Sequence, residues 1–159
     1  STLSYNGKAQ KPKVTVTYKG KKLKAGKDYT VSYSGNKKVG QGTVKVTGKG
    51  GFKGSKSARF TIMPQVNKIS KLINQPGRKL LVKLGKTVKK TGAKGFEITY
   101  SPKKSFKGAK KVKTAKTSYT LKNLKKGKTY YVKVRSYAKI GKKLKYGAYS
   151  KLMWKKITK

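Results

Sequence analysis

Short runs in which apolar or β-branched residues alternate with Lys, Ser or Thr recur along the chain, and they predict half-buried β-strands. Glycine and asparagine between these runs favour tight hairpins. In the first part of the chain the runs are VTVTY at 14–18, YTVSY at 29–33, TVKVT at 43–47 and ARFTI at 58–62. The pattern predicts one compact antiparallel module over residues 1–63.

The segment MPQVNK at 63–68 interrupts this rhythm with Pro64. The later runs are KLLVKL at 79–84, GFEITYS at 95–101, SYTLKNL at 118–124, YYVKVRSY at 130–137 and SKLMWKKI at 150–157. Apolar residues do not recur at helical spacing over a useful length, so almost no helix is expected. We therefore predict an all-β chain of two small antiparallel β-sandwich domains in tandem, residues 1–63 and 64–159.

Beyond the fold, the net charge of the chain indicates a class of binding partner. The 159 residues contain 45 Lys plus Arg against 2 Asp plus Glu, a net charge of +43, whereas a charge of about 2 to 8 keeps a small domain soluble. Residues 64–159 carry 30 basic residues and one acid, a net +29. Nearly all the basic residues are lysines, which do not favour bidentate, base-specific recognition. The excess predicts a polyanionic partner.

Several chemistries are excluded by composition. The chain has no Cys and no His, which removes thiolate and imidazole nucleophiles, metal ligands and the usual proton-transfer side chain. Its two acids fall in different predicted domains and cannot form the carboxylate pair of a glycoside hydrolase. We expect no enzyme activity, no catalytic residue, no metal site and no cofactor. The chain opens without a signal-peptide pattern, and we expect a mature fragment of a longer secreted protein.

The first predicted domain carries a specific set of motifs. They are YNGK at 5–8, Pro12, the G-x-DY-x-V-x-Y run at 26–33, Asn36, the G-x-G-T-V-x-V-x-G-x-G run at 40–50 and the closing F-T-I at 60–62. This set closely resembles a short immunoglobulin-like repeat of large extracellular proteins in Gram-positive bacteria, particularly gut clostridia. The resemblance implies a secreted or cell-wall-associated chain that is part of a longer surface protein.

The second predicted domain is similar to a fibronectin type III domain. The similarity lies in GFEITYS as the third strand and in LKNLKKGKTYYVKVRSYAKIGKKLKYGAYSK at 121–151, where Leu124 and Tyr130 match the tyrosine corner of that family. The second strand lacks the tryptophan often found there, and lysines replace many acids and neutral polar residues of relatives. The resemblance implies a β-sandwich with a role in adhesion, spacing, or contact with carbohydrate or cell wall.

Two sets of residues are candidates for binding polyanions. Alternation along the run at 130–137 turns Val132 and Val134 inward, and it leaves a basic, aromatic face of Tyr131, Lys133, Arg135 and Tyr137 outward. Such a face suits nucleic acids and anionic sugars. The favoured alternative is the ordinary β-propensity of these residues on an outer face. The second set is lysines on predicted loops or edges: Lys103, Lys104, Lys107, Lys110, Lys111, Lys113, Lys125, Lys126, Lys128, Lys142, Lys143 and Lys145. Solvated surface and edge protection are the alternative here.

The two acids are expected to be structural. Asp28 precedes a predicted strand and suits the cap of a turn. Glu97 is predicted to face outward on the third strand, where it would pair across the sheet with Lys133 or Arg135.

These observations lead to one predicted function and one alternative. The function is attachment of a monomeric module to wall teichoic acid, heparin-like or sulfated glycans, DNA or RNA without sequence preference, or an anionic membrane surface. The alternative is a structural stalk or spacer within a larger cell-surface adhesin or secreted enzyme.

Overall fold

A computed structural model describes every residue from Ser1 to Lys159. The chain divides into two compact units, Ser1–Met63 (unit 1) and Pro64–Lys159 (unit 2). All regular structure is β-strand apart from one helix, α1 (Val88–Thr91). The predicted all-β class is confirmed. No helix of the protein has both the length and the apolar character needed to cross a membrane.

Unit 1 contains six strands in two sheets. The strands are β1 (Thr2–Ser4), β2 (Thr17–Tyr18), β3 (Lys21–Lys22), β4 (Tyr29–Ser34), β5 (Gly40–Gly48) and β6 (Ser55–Met63). The main sheet has the order β1-β6-β5-β4, and β2 pairs only with β3. β1 runs parallel to β6, and hydrogen bonds from Thr61 N to Ser1 O (2.9 Å) and from Tyr5 N to Met63 O (2.8 Å) flank that pairing. The sheet is therefore not wholly antiparallel.

The extended segment before β2 is held by side chains rather than by a strand ladder. Tyr33 Oη donates to the Pro12 carbonyl at 2.8 Å. Asn36 Nδ2 donates to the Gln10 carbonyl at 2.9 Å, and Gln10 N–H donates to the Asn36 carbonyl at 2.7 Å. The strand expected over 14–18 is therefore reduced to its last two residues. Pro12, Tyr33 and Asn36 belong to the motif set of this module, and these contacts give them a structural use.

One glycine of that motif set is fixed by packing in the small core of unit 1. The core contains Tyr29, Val44, Phe60 and Ile62. The Phe60 ring lies directly over Gly42, and a Cβ at that position would come within 2.3 Å of the ring. Any larger residue there would displace Phe60 from the core.

Unit 2 is a sandwich of two sheets. Its strands are β7 (Ile69–Gln75), β8 (Lys79–Leu84), β9 (Gly95–Ser101), β10 (Lys110–Thr114), β11 (Ser118–Leu121), β12 (Thr129–Ile140), β13 (Lys143–Tyr149) and β14 (Met153–Lys156). The larger sheet has the order β10-β9-β12-β13, with β14 also pairing β12, and the smaller has the order β11-β8-β7. Buried residues of both sheets, among them Leu80 and Val82 facing Ile98 and Val134, form one apolar core.

Strands of unit 2 with regular alternation coincide with their predicted ranges. β8 and β9 occupy the expected residues, and β12 extends the expected run at both ends. β7 was not predicted because an irregularity in its register with β8 separates Ile69 from Lys71 and breaks the period of two. β13 was not predicted, although Leu144, Tyr146 and Ala148 follow a period of two; it is an edge strand whose residues stay exposed or half-exposed.

A tyrosine corner connects β11 to β12. Tyr130 is 6% exposed, and its Oη accepts a hydrogen bond from Lys125 N–H at 3.1 Å. Leu124 is 2% exposed beside it, and its N–H donates to the Arg78 carbonyl at 3.1 Å. These contacts fix the backbone of residues 122–128, a loop that carries four lysines.

Candidate functional site

The loop and edge lysines predicted to bind polyanions are all exposed on unit 2. Three lie between β9 and β10, three on the edge strand β10, three between β11 and β12, and three at or just before β13. None of them pairs with a carboxylate, because the single side-chain ion pair of the protein joins Arg135 to Glu97. No carboxylate therefore lies within ion-pair distance of their ammonium groups.

The sandwich brings some of these lysines together at one end. Lys103, Lys110, Lys125 and Lys128 line a cleft of about 420 Å³ together with Lys122, which sequence analysis did not single out. We call this site the end cleft; Tyr100 and Tyr130 also line it. The remaining predicted lysines, Lys104, Lys107, Lys111, Lys113, Lys126, Lys142, Lys143 and Lys145, lie outside it.

Two cations of the predicted basic, aromatic face lie against rings. Lys133 Nζ is 4.2 Å from the ring centroid of Phe106 and 4.3 Å from that of Tyr149. The Arg135 guanidinium carbon is 3.9 Å from the centroid of Tyr146 and 4.7 Å from that of Tyr149. At these distances the ring faces attract the cations. Both side chains are half-buried, so their charges are engaged within the domain.

The rings and cations continue toward β10. Tyr137 packs against Tyr146 with ring centroids 6.0 Å apart. Lys113 Nζ lies 5.3 Å from the Tyr137 centroid and 5.8 Å from that of Tyr146. We call these seven side chains the cation–aromatic cluster: Phe106, Lys113, Lys133, Arg135, Tyr137, Tyr146 and Tyr149.

The structure adds burial to the predicted outward orientation of Glu97. It lies on the outer face of the larger sheet, as alternation predicted, yet it is only 4% exposed because Arg135 and the cluster above it exclude water. Its Oε1 accepts from Arg135 Nε at 2.9 Å and lies 2.7 Å from Arg135 Nη2. Of the two predicted partners, Arg135 is the one opposite Glu97 in register.

Tyr131 shares the outward side of β12 with Lys133, but its ring is not among those that contact the cations. In register it stands opposite Ser101 on one side and Trp154 on the other. Trp154 is 64% exposed. Of the four residues of the predicted face, Lys133, Arg135 and Tyr137 therefore take part in the cation–aromatic cluster and Tyr131 does not.

Asp28 holds the turn that precedes β4. Its Oδ2 accepts from Lys24 N–H at 2.7 Å, and its own N–H donates to the Lys24 carbonyl at 2.8 Å. The Asp28 carbonyl accepts from Lys49 N–H at 2.9 Å, which ties the turn to the end of β5. No group of three or more His, Cys, Asp or Glu residues comes together anywhere in the chain.

Comparisons with known proteins support the fold of unit 2. Residues 83–151 match the family model of the fibronectin type III domain. The crystal structure of chicken CNTN1 FN1-FN3 domains is similar at 21% identity and a TM-score of 0.53, over 77% of this chain and 44% of that one. This chain thus spans less than half the length of that crystallised chain. A structure described as a myokine structure is 18% identical over 60% of this chain and 99% of its own, with a TM-score of 0.47.

The comparison with curated proteins gave no match. The predicted fibronectin type III resemblance of the second domain is confirmed over the matched residues. Such domains are typically non-catalytic binding or structural modules, consistent with a spacer in a larger protein. The immunoglobulin-like repeat and the Gram-positive source stay predictions.

Proposed function

We propose that the chain is a highly cationic extracellular module that attaches to polyanions through lysine electrostatics. The observation that carries this proposal is the imbalance of charge: 45 basic residues face two acids, and only Arg135 has a carboxylate partner. Charges closer than about 8 to 10 Å repel one another at physiological salt. A bound polyanion relieves that repulsion and releases its own counterions.

The proposed partners are anionic polymers and surfaces. They are wall teichoic acid, heparin-like or sulfated glycans, DNA or RNA without sequence preference, and anionic membrane surfaces. Unit 1 is proposed to be an immunoglobulin-like repeat of a Gram-positive surface protein, which would make the chain secreted or cell-wall associated. We further propose that it is monomeric, that it has no catalytic activity or cofactor, and that it works beside other domains of a larger parent protein.

A titration at several salt concentrations tests the proposal. Fluorescein-labelled protein is titrated with lipoteichoic acid, heparin, duplex DNA and anionic vesicles, at equal concentrations of anionic groups, with neutral dextran as the control. We expect binding to all four anionic partners at about 0.05 M salt, and a linear fall of the logarithm of affinity with the logarithm of salt concentration. Absence of binding at low salt, or an affinity independent of salt, would contradict the electrostatic mechanism.

A structural spacer is the second candidate function, and a specific observation favours it. Residues 83–151 match a domain family whose members commonly serve as structural modules, and the cations of the outer face are engaged by rings and Glu97. A spacer predicts only weak binding to every polyanion at about 0.15 M salt, where exposed charges are largely screened beyond about 8 Å. The same titration at that salt concentration separates the two functions.

A further inference from the structure

We propose that the end cleft is a defined subsite for one sugar unit bearing a sulfate or phosphate ester, within an anionic glycan. This inference rests on the proposed function and deepens it, because it replaces diffuse attraction with a single place of contact. It predicts that five lysines of the cleft contribute more to glycan binding than the other exposed lysines of unit 2.

The first argument is shape. The end cleft lies where β9 passes into the loop that follows it, next to the loop between β11 and β12. Its volume of about 420 Å³ falls within the range of small-molecule sites. The rings of Tyr100 and Tyr130 have centroids 6.4 Å apart and are tilted by 43° to each other. Tyr130 is almost fully buried and packs against Tyr100. The half-buried ring of Tyr100 is therefore the one that suits the apolar face of a pyranose.

The second argument is charge. Five exposed lysines from three separate segments line the cavity, and they are Lys103, Lys110, Lys122, Lys125 and Lys128. No carboxylate lines it, because the only acid of unit 2, Glu97, is buried against Arg135 on the opposite face of the larger sheet. An anionic ester that enters the cleft therefore meets only positive charge and neutral groups.

Tyr100 adds a neutral hydrogen-bond donor to the cleft. Burial raises the pKa of Tyr100, and the neighbouring phenols of Tyr119 and Tyr130 raise it further. The Tyr130 hydroxyl accepts from Lys125 N–H, so its own proton is free to donate to an ester or ring oxygen. A neutral phenol does not repel an anion, whereas a phenolate would.

The third argument is fixed geometry. The loop between β11 and β12 is held at Lys125 by Tyr130 and at Leu124 by the Arg78 carbonyl. On the other side, Lys103 N–H donates to Ser101 Oγ at 3.0 Å, and the Lys103 carbonyl accepts from Phe106 N–H at 2.9 Å. The backbone that carries these lysines is therefore already ordered in the free protein. This pre-organisation lowers the entropy lost on binding.

Matched pairs of variants of the full chain test the subsite. Lys122→Gln combined with Lys125→Gln removes two charges from the end cleft. Lys142→Gln combined with Lys143→Gln removes two charges outside it, so the net charges of the two variants are equal. Each is titrated at about 0.15 M salt with a heparin-derived tetrasaccharide, and in parallel with inorganic tetraphosphate, duplex DNA and anionic vesicles. All four substituted side chains are exposed, so both variants are expected to fold.

We expect the cleft variant to lose about tenfold or more in affinity for the tetrasaccharide and the control variant about twofold. Tetraphosphate, DNA and vesicles should weaken equally with both. Equal losses for the tetrasaccharide would overturn the subsite and leave general polyanion binding intact. A selective loss for DNA or vesicles would overturn the glycan as occupant. Failure of the unsubstituted chain to bind any partner even at about 0.05 M salt would overturn the proposed function itself.

Chemical footprinting of the unsubstituted chain gives a second readout. Lysines are acetylated with and without the tetrasaccharide, and the modified sites are quantified by mass spectrometry. We expect at least threefold protection of the cleft lysines and none of Lys142, Lys143 and Lys145. Uniform protection of both groups would contradict a defined subsite.

Discussion

Unit 2 places its cations in two different settings on one sandwich. On the outer face of the larger sheet, Lys133 and Arg135 lie between aromatic rings, and Arg135 covers the buried carboxylate of Glu97. In the end cleft, five lysines surround an open cavity that no carboxylate lines. The first group has three cations, Lys113 included, beside one buried acid, and it stabilises the fold. The second has five cations and no acid, and it is free to meet a ligand. Neighbouring rings and acids, rather than the charge itself, set this difference.

The largest expected effect comes from removing the one acid beneath the cation–aromatic cluster. Glu97→Gln leaves Arg135 without its counter-charge, and we expect the free energy of unfolding of unit 2 to fall by about 3 kcal/mol. This is the lower end of the range for breaking a buried ion pair, because Arg135 keeps some contact with water. Urea denaturation followed by fluorescence of Trp154, the only tryptophan, reports on unit 2.

Asp28→Asn is the matched control, since it changes the net charge by the same amount. Asp28 serves a turn in unit 1, so the transition seen by Trp154 should not move. An equal shift for both variants would mean that net charge, and not the Glu97–Arg135 pair, governs the stability of unit 2.

The next effect tests whether the end cleft depends on a fixed loop. Tyr130→Phe removes the acceptor of Lys125 N–H, and we expect a loss of about 1 to 2 kcal/mol in stability of unit 2. Affinity for the heparin-derived tetrasaccharide should fall as well, because the loop of residues 122–128 becomes less constrained. Denaturation and titration of the same preparation measure both. Unchanged values in both would show that the tyrosine corner does not hold the loop.

A smaller effect compares one lysine from each setting. Lys133→Ala removes a cation held between two rings and should cost about 1 kcal/mol. Lys103→Ala removes an exposed cation of the end cleft and should leave stability unchanged or slightly raised, because repulsion decreases. Thermal unfolding by calorimetry compares the two variants at equal net charge. A similar loss of stability for both variants would contradict the difference between the cation–aromatic cluster and the end cleft.

The smallest effect concerns the ionisation of Tyr100. Because burial raises its pKa, the folded chain keeps this proton at a pH where the unfolded chain, with a phenol pKa of about 10, loses it. The associated stability is present below pH 10 and declines as the pH rises above it. In absorbance titrations at 295 nm, the difference between the unsubstituted chain and Tyr100→Phe should titrate above pH 10. A difference that titrates at or below pH 10 would contradict the burial of this phenol.

Much of the sheet structure follows from the sequence because inward and outward residues alternate. The run at 95–101 fixed β9 and the outward direction of Glu97. Burial of Glu97 could not be predicted, since Arg135 on β12 and the rings of Tyr146 and Tyr149 on β13 are distant from it in sequence. Contacts between side chains that are distant in sequence produce no periodic pattern from which they could be predicted.

Only some residues of the end cleft could be predicted from the sequence. Lys125 and Lys128 stood out as part of a basic loop, whereas Lys122 and Tyr100 carried no signal. Tyr100 and Lys122 are distant in sequence, and only the packing of the two sheets and the tyrosine corner brings them to one cavity. Sequence patterns identify which residues are charged, but the sandwich decides which charges converge.

The parallel pairing of β1 with β6 has a mechanical consequence for unit 1. The first and last strands lie side by side and run in the same direction, from Thr2 opposite Thr61 to Ser4 opposite Met63. A pull on Ser1 and Met63 therefore draws the two strands in opposite senses along one axis. Their hydrogen bonds lie across that axis, so tension shears them together instead of opening them one at a time. The hydrogen bonds between β1 and β6 would therefore resist a pulling force together rather than one after another.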